Sequence, residues 1–180
     1  MKRIVVIIGG SGSGKTTVAQ MISEMNPSFH RLVTTTTRSM REGEVPGISY
    51  HFVTKEEFHN IEKLEENEYV GNLYGLSKKE VDEKLEIYDQ FVVVLEVNGA
   101  EAIKKIYGDM VRVVFLSVPP DELERRMRNR GEEEFVIEER LKKAHKDKEF
   151  SKPKIADIQI NNIDLDTTIQ EIIRFINKEA

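Results

Sequence analysis

Residues 9–16 read Gly-Gly-Ser-Gly-Ser-Gly-Lys-Thr, a complete G-x-x-x-x-G-K-[ST] pattern set directly behind the apolar run 4–8. No other stretch of the chain constrains the fold as tightly. A phosphate-binding loop needs a buried strand to deliver it, glycines that let the backbone curl around an anion, and a helix that starts at once. Residues 5–8 supply the strand. Gly9, Gly10, Gly12 and Gly14 permit the angles that turn successive N–H groups inward. Lys15 can then reach the β- and γ-phosphates of a nucleoside triphosphate, and the Thr16 hydroxyl can take one coordination position on Mg²⁺.

Composition narrows the setting. The 180 residues suffice for one well-cored domain with one or two excursions from it. With 39% hydrophobic and 33% charged residues, the chain reads as globular and not disordered. A net charge of −5 gives no support to nucleic-acid binding, which leaves a basic footprint. The absence of cysteine excludes disulfides, thiolate catalysis and cysteine-ligated zinc or iron–sulfur sites. His30, His51, His59 and His145 lack ligand spacing and are expected in structural or surface roles. The apolar run behind Lys2 and Arg3 is too short for a signal peptide, and the phosphate loop stands where a cleavage site would be. No stretch approaches the length of a membrane span, so a cytoplasmic protein is expected.

Apolar runs and amphipathic segments alternate along the chain. Helices are expected over 15–25, 55–64, 78–87, 98–107, 120–130, 132–149 and 165–178, and strands over 4–8, 32–35, 50–53, 91–97, 111–118 and 155–160. Thr54 with Glu57, and Ser77 with Glu80, have the spacing of capping boxes. The nearly continuous apolar runs 91–97 and 111–118 read as strands buried on both faces, as in a doubly wound parallel sheet of the α/β class. Such sheets bind ligands at the carboxyl ends of their strands. Two segments break the alternation: 34–75 is polar and strand-rich, and 121–151 is strongly charged. Both are expected to be flaps over a site.

A second motif lies in the first of these segments. Thr36-Thr37-Arg38-Ser39-Met40-Arg41-Glu42-Gly43-Glu44 is followed by Gly47, Tyr50 and Phe52. Two arginines beside threonine hydroxyls make a fork for a phosphate monoester, because guanidinium groups bind such oxygens bidentately. Together with the phosphate loop, the order T-T-R-x-x-R-x-G-E-x-x-G-x-x-Y-x-F resembles guanylate kinase. The resemblance continues through Gly71-Asn72-Leu73-Tyr74-Gly75, Glu96 with Asn98-Gly99, Arg126, Arg130-Gly131, Arg140-Leu141 and Ile160-Asn161-Asn162, and so covers nearly the whole chain.

The resemblance implies a three-layer α/β sandwich of the P-loop NTPase class in a single domain, with a core of 1–33, 76–120 and 152–180. A monophosphate-binding flap would span 34–75 and a helical lid 121–151. ATP would be held by Gly9, Gly10, Ser11, Gly12, Ser13, Gly14, Lys15, Thr16 and Thr17, with Arg126, Arg130 and Asn161, and Mg²⁺ by Thr16. Arg38, Arg41, Tyr50 and Tyr74 match the clamp on the acceptor phosphate. Thr34, Glu65 and Glu96 match positions facing the acceptor base. Lys15, Arg38, Arg130 and Arg140 would stabilise charge during phosphoryl transfer from ATP to GMP.

Some positions depart from the family pattern. Thr34 stands where a serine is usual, and Leu76 where a hydroxyl follows G-N-x-Y-G. The usual D-x-D strand end reads Val94-Leu95-Glu96. Glu65 is reached by counting six residues back from Gly71, which requires a short deletion upstream. The alternatives are a related kinase with another acceptor, such as ribose bisphosphate phosphokinase, and a non-catalytic scaffold module that binds protein partners.

Overall fold

The computed structural model describes residues 2–10, 12–69, 71–129, 131–146 and 150–178. The chain runs through β1 (Arg3–Ile8), α1 (Lys15–Met25), β2 (Phe29–Arg31), β3 (Thr35–Thr36) and β4 (His51–Phe52). It continues through α2 (Lys55–Asn60), β5 (Lys63–Tyr69), β6 (Asn72–Ser77), α3 (Lys78–Ile87) and β7 (Gln90–Val94). Then follow α4 (Val97–Tyr107), β8 (Val111–Ser117), α5 (Pro120–Asn129), α6 (Glu134–Lys146), β9 (Ile158–Asn161) and α7 (Leu165–Lys178).

Five strands form a central sheet in the order β2-β7-β1-β8-β9, parallel throughout. All six residues of β1 are buried, and their alternation divides them between two cores. Ile4, Val6 and Ile8 pack with Val81 of α3 and with Ala100 and Ile103 of α4. Val5 and Ile7 pack with Val18 and Ile22 of α1 and with Ile169, Ile172 and Ile176 of α7. Burying each Val or Ile side chain is worth roughly 1.5–3 kcal/mol. A strand apolar on both faces is stable only between two helical layers, and this chain has them. A second sheet, in the order β4-β3-β6-β5, stands beside the carboxyl edge of the first and is mostly antiparallel. A smaller core of Val118, Leu123, Met127 and Ile137 lies under α5 and α6.

The elements depart from the sequence expectations at several points. β7 ends at Val94 where a strand to 97 is expected, and Val97 opens α4. β5 and β6 are not among the expected strands, and four further departures have a local cause. The strand expected over 32–35 is divided: β2 ends at Arg31 and β3 starts at Thr35. Leu32 N–H still donates to Val92 O at 3.0 Å, but Val33 N–H turns to the Glu80 carboxylate at 2.9 Å. The helix expected over 55–64 stops at Asn60. There the Lys63 ammonium takes the carbonyls of Phe58 and Ile61 at 2.7 and 2.8 Å, and Lys63 opens β5. The Thr54/Glu57 capping box forms, with bonds of 3.1 and 2.7 Å. At Ser77 only half of one forms, because the Glu80 carboxylate is spent on Val33, Lys84 and His51. The last strand starts at Ile158, not 155, because the Asp157 carboxylate takes Val113 N–H at 2.7 Å and Lys104 at 2.6 Å.

Candidate active site

The phosphate loop links β1 to α1 with backbone angles that require glycine. Gly14, the N-cap of α1, has φ 90 and ψ 14. A Cβ there would stand 2.4 Å from Asn162 Nδ2, and one on Gly9 would stand 2.1 Å from the Leu116 carbonyl oxygen. Asn162 is buried and ties the loop down: its Nδ2 donates to Ser13 O at 2.8 Å, and its Oδ1 accepts from Thr168 Oγ1 at 3.1 Å. Lys15 folds back over the loop and donates to the carbonyls of Gly9 and Gly10 at 2.6 and 3.0 Å. The Ser13 hydroxyl is buried and has no hydrogen-bond partner among the described residues. Such a group in a glycine-rich loop suits a site that completes its bonding with a ligand.

A cavity of about 490 Å³ opens between the start of α1 and the second sheet. Lys15 and Thr16 line it, and so do Thr34, Arg38, Arg41, Tyr50, Glu65, Tyr74 and Glu96. Every residue that the sequence singled out for the acceptor therefore meets the phosphate loop in one space. Arg38 Nη2 pairs with Glu44 Oε1 at 2.6 Å, and Glu44 Oε2 accepts from Arg41 N–H at 2.7 Å. One carboxylate thus orients the side chain of Arg38 and the backbone of Arg41. The guanidinium of Arg38 also lies over the Tyr50 ring, 5.4 Å from its centroid, a cation–π contact that fixes the tyrosine. Tyr50 and Tyr74 meet edge to face at 6.0 Å.

Glu65 stands on β5 opposite Leu76 of β6. Burial pushes its carboxyl up to about 7, and the neighbouring charges of Glu96 and Glu66 add to the rise, against a backbone hydrogen bond from Leu76. A desolvated carboxylate of this kind marks a functional site when it lines a cavity. Its Oε2 lies 3.0 Å from where a Cβ on Gly99 would be, so the first turn of α4 makes room for it. Leu76 itself is fully buried in the core with Ile4, Val81 and Phe91. The hydroxyl usual at that position is replaced by a core side chain.

Other candidates lie outside this cavity. Arg140 reaches the phosphate loop from α6, with Nη2 3.2 Å from where a Cβ on Gly12 would be. Arg126 is held on α5 by Glu122 at 2.7 Å and donates to Asn162 O at 2.6 Å. Asn161 is exposed, and its Oδ1 accepts from Ser117 Oγ at 2.6 Å. Thr17 is exposed in the first turn of α1. Ser11 and Arg130 lie outside the described residues. Three participants were not singled out from the sequence. Glu44 and Asn162 sit inside the quoted motifs, so their places were visible but not their bonds. Arg31, also in the cavity wall, carried no sequence signal at all.

A glycine-rich loop at the carboxyl edge of a parallel sheet, opening on a cavity walled by arginines, defines a phosphate-loop kinase. The fold alone extends to shikimate kinase from Bacteroides thetaiotaomicron, with a TM-score of 0.52 at 17% identity, covering 97% of this chain and 98% of that one. Within that class the chain belongs to the guanylate kinase family, whose model matches residues 1–179. It is 37% identical over 182 residues to the guanylate kinase of a Synechocystis species, covering 98% of this chain and 94% of that protein. It is 38% identical over 176 residues to the guanylate kinase of a Synechococcus species, covering 94% and 80%. The crystal structure of guanylate kinase from Anaplasma phagocytophilum has a TM-score of 0.74 at 28% identity, over 99% of this chain and 85% of that one.

Proposed function

We propose that the chain transfers the γ-phosphoryl group of ATP to the phosphate of GMP, giving ADP and GDP. The observation that carries this reading is the single cavity shared by Lys15 and Thr16 of the phosphate loop, Arg38 and Arg41, and the buried carboxyl of Glu65. Arg38, Arg41, Tyr50 and Tyr74 hold the acceptor phosphate. Glu65 accepts from the N1–H and 2-amino group of guanine, a pair of donors that adenine does not present. Thr34 and Glu96 stand at the base end. Acceptor phosphate oxygens are already ionised near neutral pH, so the reaction needs no general base. Catalysis is positioning and charge stabilisation.

Lys15, in leaving the Gly9 and Gly10 carbonyls for the transferred phosphoryl group, neutralises charge that grows there. Arg140, already beside Gly12, and Arg126 and Arg130 act from the lid segment 121–151, and Asn161 adjoins the adenine. Movement of this lid and of the flap 34–75 toward each other excludes water that would otherwise hydrolyse ATP.

The residues present fit Mg²⁺. It usually keeps several waters and takes one or two protein oxygens plus phosphate oxygens. The Thr16 hydroxyl in the cavity wall is such a donor, and no cluster of three His, Asp or Glu capable of an all-protein cage occurs among the described residues. Thr16 would hold the ion, which would supply positive charge to offset that of the phosphate oxygens. Use of ATP and GMP as substrates supports a cytoplasmic setting. Among the described residues no helix is long and apolar enough to cross a membrane.

A coupled ADP-release assay with GMP, dGMP, AMP, CMP, UMP and ribose bisphosphate tests the reading. GMP is expected to be the preferred acceptor. A preference for ribose bisphosphate, or no transfer to any of them, would overturn it.

A further inference from the structure

Arg31 is the last residue of β2 and pairs with Val92 in the parallel ladder. Its carbonyl accepts from the Lys84 ammonium at 2.7 Å, and the next amide, Leu32 N–H, donates to Val92 O. The backbone is therefore held from two sides at the edge of the central sheet. Its side chain lines the cavity together with Thr16, Gln20 and Tyr50.

Two neighbours define which end of the cavity this is. Residues two apart on a strand share a face, so Arg31 lies on the side of Phe29, which packs with Val18, Ala19 and Ile22 of α1. Glu65, by contrast, lies against Gly99 of α4, a helix on the opposite side of the sheet. The Tyr50 hydroxyl feels both Arg38 and Arg31. The guanidinium thus belongs to the phosphate end and not to the base end.

It is also uncommitted. Arg38 is paired with Glu44, whereas among the described residues no hydrogen bond or ion pair engages the guanidinium of Arg31. Burial pushes its pKa below the ordinary value, the sign of a cation partly stripped of water. A guanidinium carries five donors in a rigid fork, and leaving them unanswered in a half-buried wall is costly.

We propose that Arg31 is a third guanidinium for the acceptor phosphate, supplied by the central sheet and acting beside Arg38 and Arg41. This rests on the acceptor site proposed above and adds a contact from outside its motif. Two anionic phosphates must approach each other for in-line transfer, and each preorganised cation lowers their repulsion. Arg31 is anchored on the sheet whose β1 leads into the phosphate loop, so it would hold the acceptor in place relative to Lys15 independently of the flap.

The test uses Arg31→Met, which keeps the aliphatic stem, and Arg31→Lys, which keeps the charge but loses the fork. Calorimetric titration with GMP and with guanosine separates the phosphate from the nucleoside. In Arg31→Met the Kd for GMP is expected to rise about tenfold or more, as for loss of a charged hydrogen bond. The Kd for guanosine and the KM for ATP should stay within about twofold, and Arg31→Lys should recover part of the loss for GMP. Unchanged GMP binding would overturn the proposal. An equal loss for guanosine would also overturn it and assign Arg31 to the base edge, where arginine can pair with guanine O6 and N7. Thermal stabilisation by inorganic phosphate, expected to shrink in Arg31→Met, reads the same contact without turnover. If the wild-type chain failed to phosphorylate GMP, the acceptor reading would fall, yet this arm would still decide for or against Arg31.

Discussion

The Glu65 carboxylate occupies the space that a side chain on Gly99 would need, with Oε2 3.0 Å and Cγ 3.1 Å from the ideal Cβ position. A strand of the second sheet and the first turn of α4 are thereby matched through one missing methyl group. Gly99→Ala is expected to push Glu65 aside by a few tenths of an ångström and raise KM for GMP about three- to tenfold, since a small displacement spoils a two-donor pairing. KM for ATP should not change. Steady-state kinetics with each substrate varied in turn checks this, and an unchanged KM for GMP would separate Glu65 from the base.

The raised pKa of Glu65 makes GMP use depend on pH. With the carboxyl at about 7, falling pH protonates it and removes an acceptor that guanine requires. Below pH 7, kcat/KM for GMP is expected to fall about tenfold per pH unit. The phosphate of GMP titrates near pH 6 as well, so the Glu65 part is the difference between wild type and Glu65→Gln. That variant should lose at least tenfold in GMP use at pH 8 and discriminate less against AMP.

The same carboxyl sets a stability trend of known sign. Its pKa in the folded chain lies above the ordinary glutamate value of 4.5. The stability it contributes is therefore full below pH 4.5 and is lost as pH rises through about 7. Glu65→Gln is expected to raise Tm relative to wild type at pH 8 and to gain little at pH 4.5. Calorimetric melts at the two pH values check the sign.

Lys15 and Arg41 serve different substrates under the proposed reading. Lys15→Ala should reduce kcat by more than about a hundredfold while circular dichroism and Tm stay close to wild type. Arg41→Ala should weaken GMP by about 1.5–3 kcal/mol, the usual worth of a charged hydrogen bond, and leave ATP nearly unchanged. Loss of ATP binding in Arg41→Ala, with GMP binding unchanged, would move that residue from the GMP site to the ATP site.

Asn162 is the buried bolt of the phosphate loop. Asn162→Ala strands the Ser13 carbonyl, whereas the Thr168 hydroxyl keeps its bond to Asp164 O at 2.7 Å. The expected loss is about 1–3 kcal/mol of stability for an unsatisfied buried group, with a rise in KM for ATP as the loop loosens. Urea unfolding together with ATP kinetics checks both parts. A variant that loses stability but keeps its KM for ATP would make the bond purely structural.

What the sequence determined by itself is whatever physics encodes locally. The phosphate loop is contiguous, and its glycines answer to the angles and close approaches of their own backbone. The bounds of α1, α3 and α7 follow from caps and apolar spacing within each segment. β1, β7 and β8 are marked as strands by runs too apolar for anything but a two-sided core, although β7 stops at Val94, short of the end of its run. The T-T-R-x-x-R stretch was legible because its residues are close in the chain as well as in the cavity. Tertiary structure decided the rest. The two-residue strands β3 and β4 exist only because each has a partner, and residues 32–35 divide between two sheets because Glu80, far along the chain, takes the amide of Val33. Glu65 reads as one of several surface carboxylates until Gly99 and Glu96 are brought against it. Asn162 and Arg31 gain their places from Ser13, Val92 and Tyr50, none of them near in sequence. Desolvation and pairing depend on which groups meet through space, and no local pattern carries that information.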